Sequence, residues 1–284
     1  MFGKMYNQFL LPIDQYNLTK KKFNLDTKSN DFELSGLIPF ESGKSIIHYL
    51  AKKFKLKRSD EVFISTTTNS SFVSTCVTGT LFNYCKLSRI LTSNTKLIYV
   101  IHEFGFPNKQ IKELITLSND RNIPIVEDVA HSFNSKMNNQ LLGRIASYGF
   151  CSLPKFIPMN KGALFFNNND NKVFELNEEN KQILDEFSLW KKHLKHLKGK
   201  SQSNYKVYQS EISCHDPIFE YNDNINPFIY GFKHEGYKKI NLLLEKKGIQ
   251  VSKTYVKNHV LLPTNPLIDE TEIYKNIEIL NQFL

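Results

Sequence analysis

Short, unbroken apolar runs punctuate the first two thirds of the chain, each followed by residues with helical spacing. Glu61-Val62-Phe63-Ile64, Leu97-Ile98-Tyr99-Val100-Ile101 and Ile123-Pro124-Ile125-Val126 read as strands. Ser42-Gly43-Lys44-Ser45 opens a helix whose apolar positions are Ile46, Ile47, Tyr49, Leu50 and Phe54, with Ser42 as its N-cap. The polar run Ser65 to Ser71 is a loop, Phe72 to Val77 begins a helix, and Lys109 to Asn119 is another. Strands that are apolar throughout, alternating with helices, predict a parallel sheet covered on both faces. Ligands of such sheets bind beyond the carboxyl ends of the strands. His102, Asp128 and the loop after Ser65 fall at that edge, which is therefore the expected site.

The flanking segments read differently. The first thirty-odd residues are polar and predict an extended arm. Asn167 to Asn171 is a turn, the residues up to Leu197 look helical, and Gly199 to Tyr205 is a loop that divides the chain. Beyond it lies a smaller α+β unit. Its strand is Phe228 to Phe232, its helix Glu235 to Lys247 stopped by Gly248, and a second strand is Ile249 to Val251. A helix from Asp269 to Leu284 closes the chain. The expected domains are thus 1–198 and 199–284. No internal repeat is visible.

The 284 residues suffice for one large domain, or a large and a small one, and 40% hydrophobic with 13% aromatic residues suit a folded globular protein. No apolar run has the length of a membrane span. The opening Met1-Phe2-Gly3-Lys4-Met5-Tyr6 lacks signal-peptide features, and Cys76, Cys85, Cys151 and Cys214 form no C-x-x-C pair and no zinc spacing. These features predict a cytoplasmic protein with reduced thiols and no metal site. The net charge of +9 is spread along the chain and comes with no nucleic-acid-binding motif, so no nucleic-acid partner is expected. Its densest run, Trp190 to Lys198, has helical apolar spacing with Phe187; it reads as a solvated helix face, with a phosphate- or lipid-binding patch as the alternative.

Two stretches carry the chemistry. Ile125-Val126-Glu127-Asp128-Val129-Ala130-His131 is a buried strand ending in an acid; about two dozen residues on, Ser152-Leu153-Pro154-Lys155 places a lysine in a Pro-bounded loop. Pyridoxal phosphate needs a lysine for its aldehyde and an acid for its ring nitrogen. Lys155 is the candidate, because Leu153, Phe156 and Ile157 would keep its amine from being protonated. Lys161, nearer the Gly turn, is its competitor. Asp128 would pair with the ring nitrogen, while Glu127 alternates to the opposite face and would cap a helix or meet an arginine. Gly43-Lys44-Ser45 is not a Walker loop, since Ile38 stands where that motif has its first glycine.

The order Glu127-Asp128-x-Ala130-His131, Tyr148-Gly149-Phe150, then Ser152-x-x-Lys155 before the turn Gly162-Ala163 resembles the DegT/DnrJ/EryC1/StrS sugar aminotransferases, which are fold-type I pyridoxal phosphate enzymes. The resemblance covers roughly residues 36 to 166, with weaker echoes from Pro227, including Asn258 to Pro263. It implies a three-layer α/β/α large domain with a mostly parallel sheet, and a small α+β C-terminal domain. It also implies Gly43, Lys44, Ser45 and Ser152 around the cofactor phosphate, or else as plain caps, and Phe72 stacked on the pyridine ring, or else packed as a core helix residue. His131 would approach the ring oxygen, or else be a buried, hydrogen-bonded histidine. The activity implied is transfer of an amino group, from glutamate by the family pattern, to a nucleotide-linked keto-sugar for surface polysaccharide, in a homodimer. A sugar-dehydrating variant has histidine at the lysine position, against which Lys155 argues. A non-catalytic or regulatory relative is the other alternative, because family members are longer between the Gly turn and the C-terminal unit. Their Asn- and Arg-bearing loop there is matched here only weakly, by Asn204-Tyr205-Lys206.

Overall fold

The structure, a computed structural model, describes residues 36–169, 176–212, 216–249 and 256–283. The expected N-terminal arm, Cys214 and most of the strand at Ile249 to Val251 lie outside them, as does the end of the Asn167 to Asn171 turn.

Strand β1 (Leu37–Phe40) leads into helix α1 (Gly43–Lys53). Then follow β2 (Glu61–Thr66), α2 (Thr75–Leu81), β3 (Lys86–Ser88), β4 (Thr95–Ile101), α3 (Ile111–Arg121) and β5 (Ile125–Asp128). A short hairpin, β6 (Lys136–Met137) and β7 (Gln140–Leu141), precedes β8 (Tyr148–Ser152) and β9 (Ala163–Asn167). Seven strands form one sheet in the order β1-β9-β8-β5-β4-β2-β3. Only β9 runs against the others, since β1 and β8 both pair with it antiparallel while the remaining neighbours are parallel.

Both faces are covered, as the apolar runs require. Ile46, Ile47 and Leu50 of α1 pack with Ile64, Tyr99, Val126 and Phe165 on one face; Ile111 and Leu114 of α3 pack with Ile98, Val100 and Ile125 on the other. The helix expected from Phe72 starts only at Thr75: Phe72 N–H donates to the Ser70 hydroxyl, and Ser74 is the N-cap, its carbonyl accepting from Val77 and Thr78.

Helices α4 (Glu178–Lys191) and α5 (Leu194–Glu211) follow, then β10 (Ile229–Lys233), α6 (Tyr237–Lys246), β11 (His259–Pro263) and α7 (Glu270–Leu280). Gly199 to Tyr205 is not the expected loop: it lies inside α5. The local preference of Gly199, Ser201 and Ser203 for turns loses to burial of Leu194, Leu197, Ser201, Asn204, Tyr205 and Tyr208 at helical spacing. The basic run is amphipathic as expected, with Trp190, Leu194 and Leu197 buried in the core, but it spans the end of α4 and the start of α5, and its Lys198 donates to the Asn224 carbonyl (2.8 Å). Asn204 turns inward and donates from Nδ2 to the carbonyls of Asn265 (3.0 Å) and Ile268 (3.3 Å). Strands β10 and β11 pair antiparallel as a separate two-stranded sheet.

Candidate active site

The carboxyl ends of β2, β4, β5 and β8 deliver their loops to one rim of the sheet. Strands β5 and β8 are parallel neighbours, with Asp128 opposite Phe150. Lys155 follows the end of β8 in a 3-10 turn, Leu153–Lys155, set by Pro154. The turn is tied down by Leu153 N–H donating to Gly162 O (3.0 Å) and Gly162 N–H donating to Glu41 O (2.8 Å). Gly162 has a φ of 122°, which explains a glycine there; the next residue, Ala163, already begins β9 with no such demand.

Asp128 and Lys155 thereby line one cavity of about 210 Å³, together with Gly43, Lys44, His131 and Ser152. Burial pushes the Lys155 amine below the ordinary lysine range, while the Asp128 charge and Cys76 pull it back up. Burial pushes the Asp128 carboxyl up, against the Ala130 N–H, Lys155, Tyr99 and His102, which hold it down. His131 is stacked on Phe228 (4.8 Å between centroids, 18° between planes), and burial with Lys155 nearby keeps it neutral. Ser42 caps α1 by accepting the Ser45 N–H at 3.2 Å. The N–H groups of Gly43 and Lys44 are therefore left at the helix N-terminus beside the cavity.

Three expected residues stand elsewhere. Ser45 shares a hydrogen bond with Ser42 (2.9 Å) and does not line the cavity; nor does Phe72, whose neighbours Val73 and Ser74 do. Lys161 is half-exposed and pairs with Glu179. Glu127 does point away from Asp128, but its partners are neither a helix cap nor an arginine. Its Oε1 accepts the N–H groups of Ile145 (2.8 Å) and Ala146 (2.6 Å), and its Oε2 accepts Gly143 N–H (3.0 Å) and His102 (3.1 Å). His102, fully buried, therefore supports the scaffold and not the cavity wall.

Sequence reasoning missed Glu103, Ile101 and Cys76 in the cavity wall. Glu103 accepts both the N–H (2.7 Å) and the hydroxyl (2.6 Å) of Thr68 on the β2 loop. Part of the signal was present: Tyr99 and Ile101 of β4 alternate onto the face that Asp128 shares, and Glu103 follows two residues beyond the strand end.

The donor set suits one type of group. Helix N–H groups and the Ser152 hydroxyl match a phosphate, a buried carboxylate matches a cationic ring nitrogen, and an amine of lowered basicity matches an aldehyde. The TlmJ aminotransferase from Streptoalloteichus hindustanus superposes with a TM-score of 0.72 at 11% identity, over 87% of this chain and 85% of its own. A DegT DnrJ EryC1 StrS aminotransferase from Brucella abortus does so with 0.69 at 14%, over 100% and 91%. The E. coli GDP-4-keto-6-deoxy-D-mannose-3-dehydratase with bound hydrated PLP gives 0.63 at 16%, over 99% and 92%. Comparison with curated protein sequences finds no match. Fold and cavity together define a class, the α/β scaffold of fold-type I pyridoxal phosphate enzymes, with a cavity whose donors suit that cofactor. Residues 37–176, which contain every cavity-lining residue named above, match the DegT/DnrJ/EryC1/StrS aminotransferase family.

Proposed function

We propose that this protein is a pyridoxal phosphate-dependent aminotransferase that moves an amino group from a donor, glutamate by the family pattern, to a nucleotide-linked keto-sugar destined for surface polysaccharide. The observation that carries the reading is the meeting of Lys155 and Asp128 in one cavity beside the N-terminus of α1. Bound there, pyridoxal phosphate supplies an aldehyde that condenses with amines and a ring that withdraws electrons from the adjacent carbon. The chain's own residues do the rest. Gly43 and Lys44 N–H groups and the Ser152 hydroxyl hold the phosphate. Asp128 keeps a proton on the ring nitrogen by offering it a carboxylate out of water. With the cofactor bound, Lys155 would be the base that takes the proton from the substrate carbon and delivers it to the cofactor's aldehyde carbon, the shift that amino transfer requires. Ile47, Val73, Ile101 and Phe150 keep that exchange away from water.

A lysine at 155, where the dehydrating variant of the family has histidine, supports transfer over dehydration. The same reading makes the molecule a cytoplasmic homodimer with a smaller C-terminal domain, whose boundary cannot be at 199 because that residue lies inside α5; no described helix is long and apolar enough to cross a membrane. The test is to load the protein with pyridoxal phosphate, reduce with borohydride and map the label by mass spectrometry. The label should sit on Lys155, and K155A should lose it. Because burial lowers the Lys155 pKa, labelling should rise with pH with a midpoint below the ordinary lysine value of about 10.4. A colourless protein with Lys155 unlabelled would make it a non-catalytic relative that keeps the fold.

A further inference from the structure

Tyr99 lies in the middle of β4 with no exposed surface, packed with Ile64, Leu97, Val126 and Phe150. A phenylalanine would fill that space without bringing a hydroxyl into an apolar cluster, where an unpaired one is costly. The hydroxyl has one recorded partner among the described residues: it donates to Asp128 Oδ2 at 2.9 Å. The other carboxylate oxygen, Oδ1, accepts the Ala130 N–H at 2.9 Å. One bond alone would let the carboxylate swing about its last torsion, which is soft. Two bonds, one to each oxygen from different strands and loops, fix its plane and leave the remaining lone pairs toward the cavity.

We propose that Tyr99 is the positioning residue that locks the Asp128 carboxylate in the plane in which it meets the cofactor's ring nitrogen. The inference rests on the pyridoxal phosphate reading above. It acts through Asp128 and touches no reacting atom. The ionisable groups facing Asp128 are Lys155 on the turn after β8, His102 at the end of β4, Cys151 on β8 and Tyr99 itself. Of these, Tyr99 is the one whose hydrogen bond favours the ionised carboxylate and which can lose that bond with its ring kept in place.

The test uses Y99F, which keeps the ring and its packing. Pyridoxal phosphate affinity is measured by fluorescence titration from acid to neutral pH in the wild type, Y99F, D128N and the double variant. Loss of a hydrogen bond to a charged group should weaken binding about tenfold near neutrality. Without the Tyr99 bond the Asp128 carboxyl takes up its proton at higher pH, so the acid limb of the affinity profile should move upward. In the D128N background the same change should cost nothing further. A Y99F profile identical to the wild type overturns the proposal while leaving the cofactor reading intact. An equal loss with and without Asp128 also overturns it, since that would be a packing effect alone. Failure of the wild type itself to bind pyridoxal phosphate would sink the functional reading first, and this inference with it.

Discussion

Glu127→Gln should unfold the scaffold behind the cavity more than its modest chemistry suggests. The side chain is fully buried, and its two oxygens accept from four donors: Ile145 N–H, Ala146 N–H, Gly143 N–H and His102. The histidine is fixed as a donor there, because Asn108 N–H donates to its Nδ1 at 2.9 Å and so leaves the proton on Nε2. An amide cannot satisfy this set. Whichever way it is turned, its NH2 faces two donors and leaves them without a partner. At about 2 kcal/mol for each buried unpaired donor, the cost is about 4 kcal/mol. With a urea slope of about 3 kcal/mol per molar for a chain this size, the midpoint should fall by about 1.3 M. Trp190 is the only tryptophan and is fully buried, so its fluorescence reports the transition directly. Glu127→Asp, which keeps the charge but shortens the reach, should fall between the two. A shift below about 1 kcal/mol for E127Q would refute the reasoning, by showing that the loop from Gly143 to Ala146 finds other acceptors.

Two more outcomes follow from the same geometry. Gly105→Ala should destabilise by about 3 kcal/mol or more in the same assay, since Gly105 has a φ of 101° and a Cβ there would stand 2.3 Å from the backbone oxygen of Asn226. Thiol labelling at pH 8 should reach Cys76 before Cys85 and Cys151, and pyridoxal phosphate should slow it. Cys76 is exposed in the cavity wall, whereas burial pushes Cys85 up to about 11 and Cys151 up to about 12, leaving both almost wholly as thiols. Peptide mapping identifies the labelled residue, and faster labelling of Cys85 or Cys151 would contradict the burial.

What the sequence alone determined is what short-range physics controls. Apolar runs became strands because burial on both faces favours apolar side chains, as in Leu97 to Ile101, which lies within β4. Ser42 was legible as a cap because its oxygen answers an N–H three residues away. The pleat alone separated Glu127 from Asp128. Tertiary structure decided everything that depends on which strands are neighbours. Parallel pairing of β5 with β8 is what brings Asp128 to Lys155, and β4 beside β5 is what gives Asp128 its Tyr99 and the cavity its Glu103. It also overruled the local signal at Gly199 to Tyr205, where a buried stripe keeps helical a segment whose own composition favours a turn. Local preferences amount to tenths of a kcal/mol per residue, while burial of a large side chain is worth about 1.5–3 kcal/mol, so where the two disagree, packing prevails.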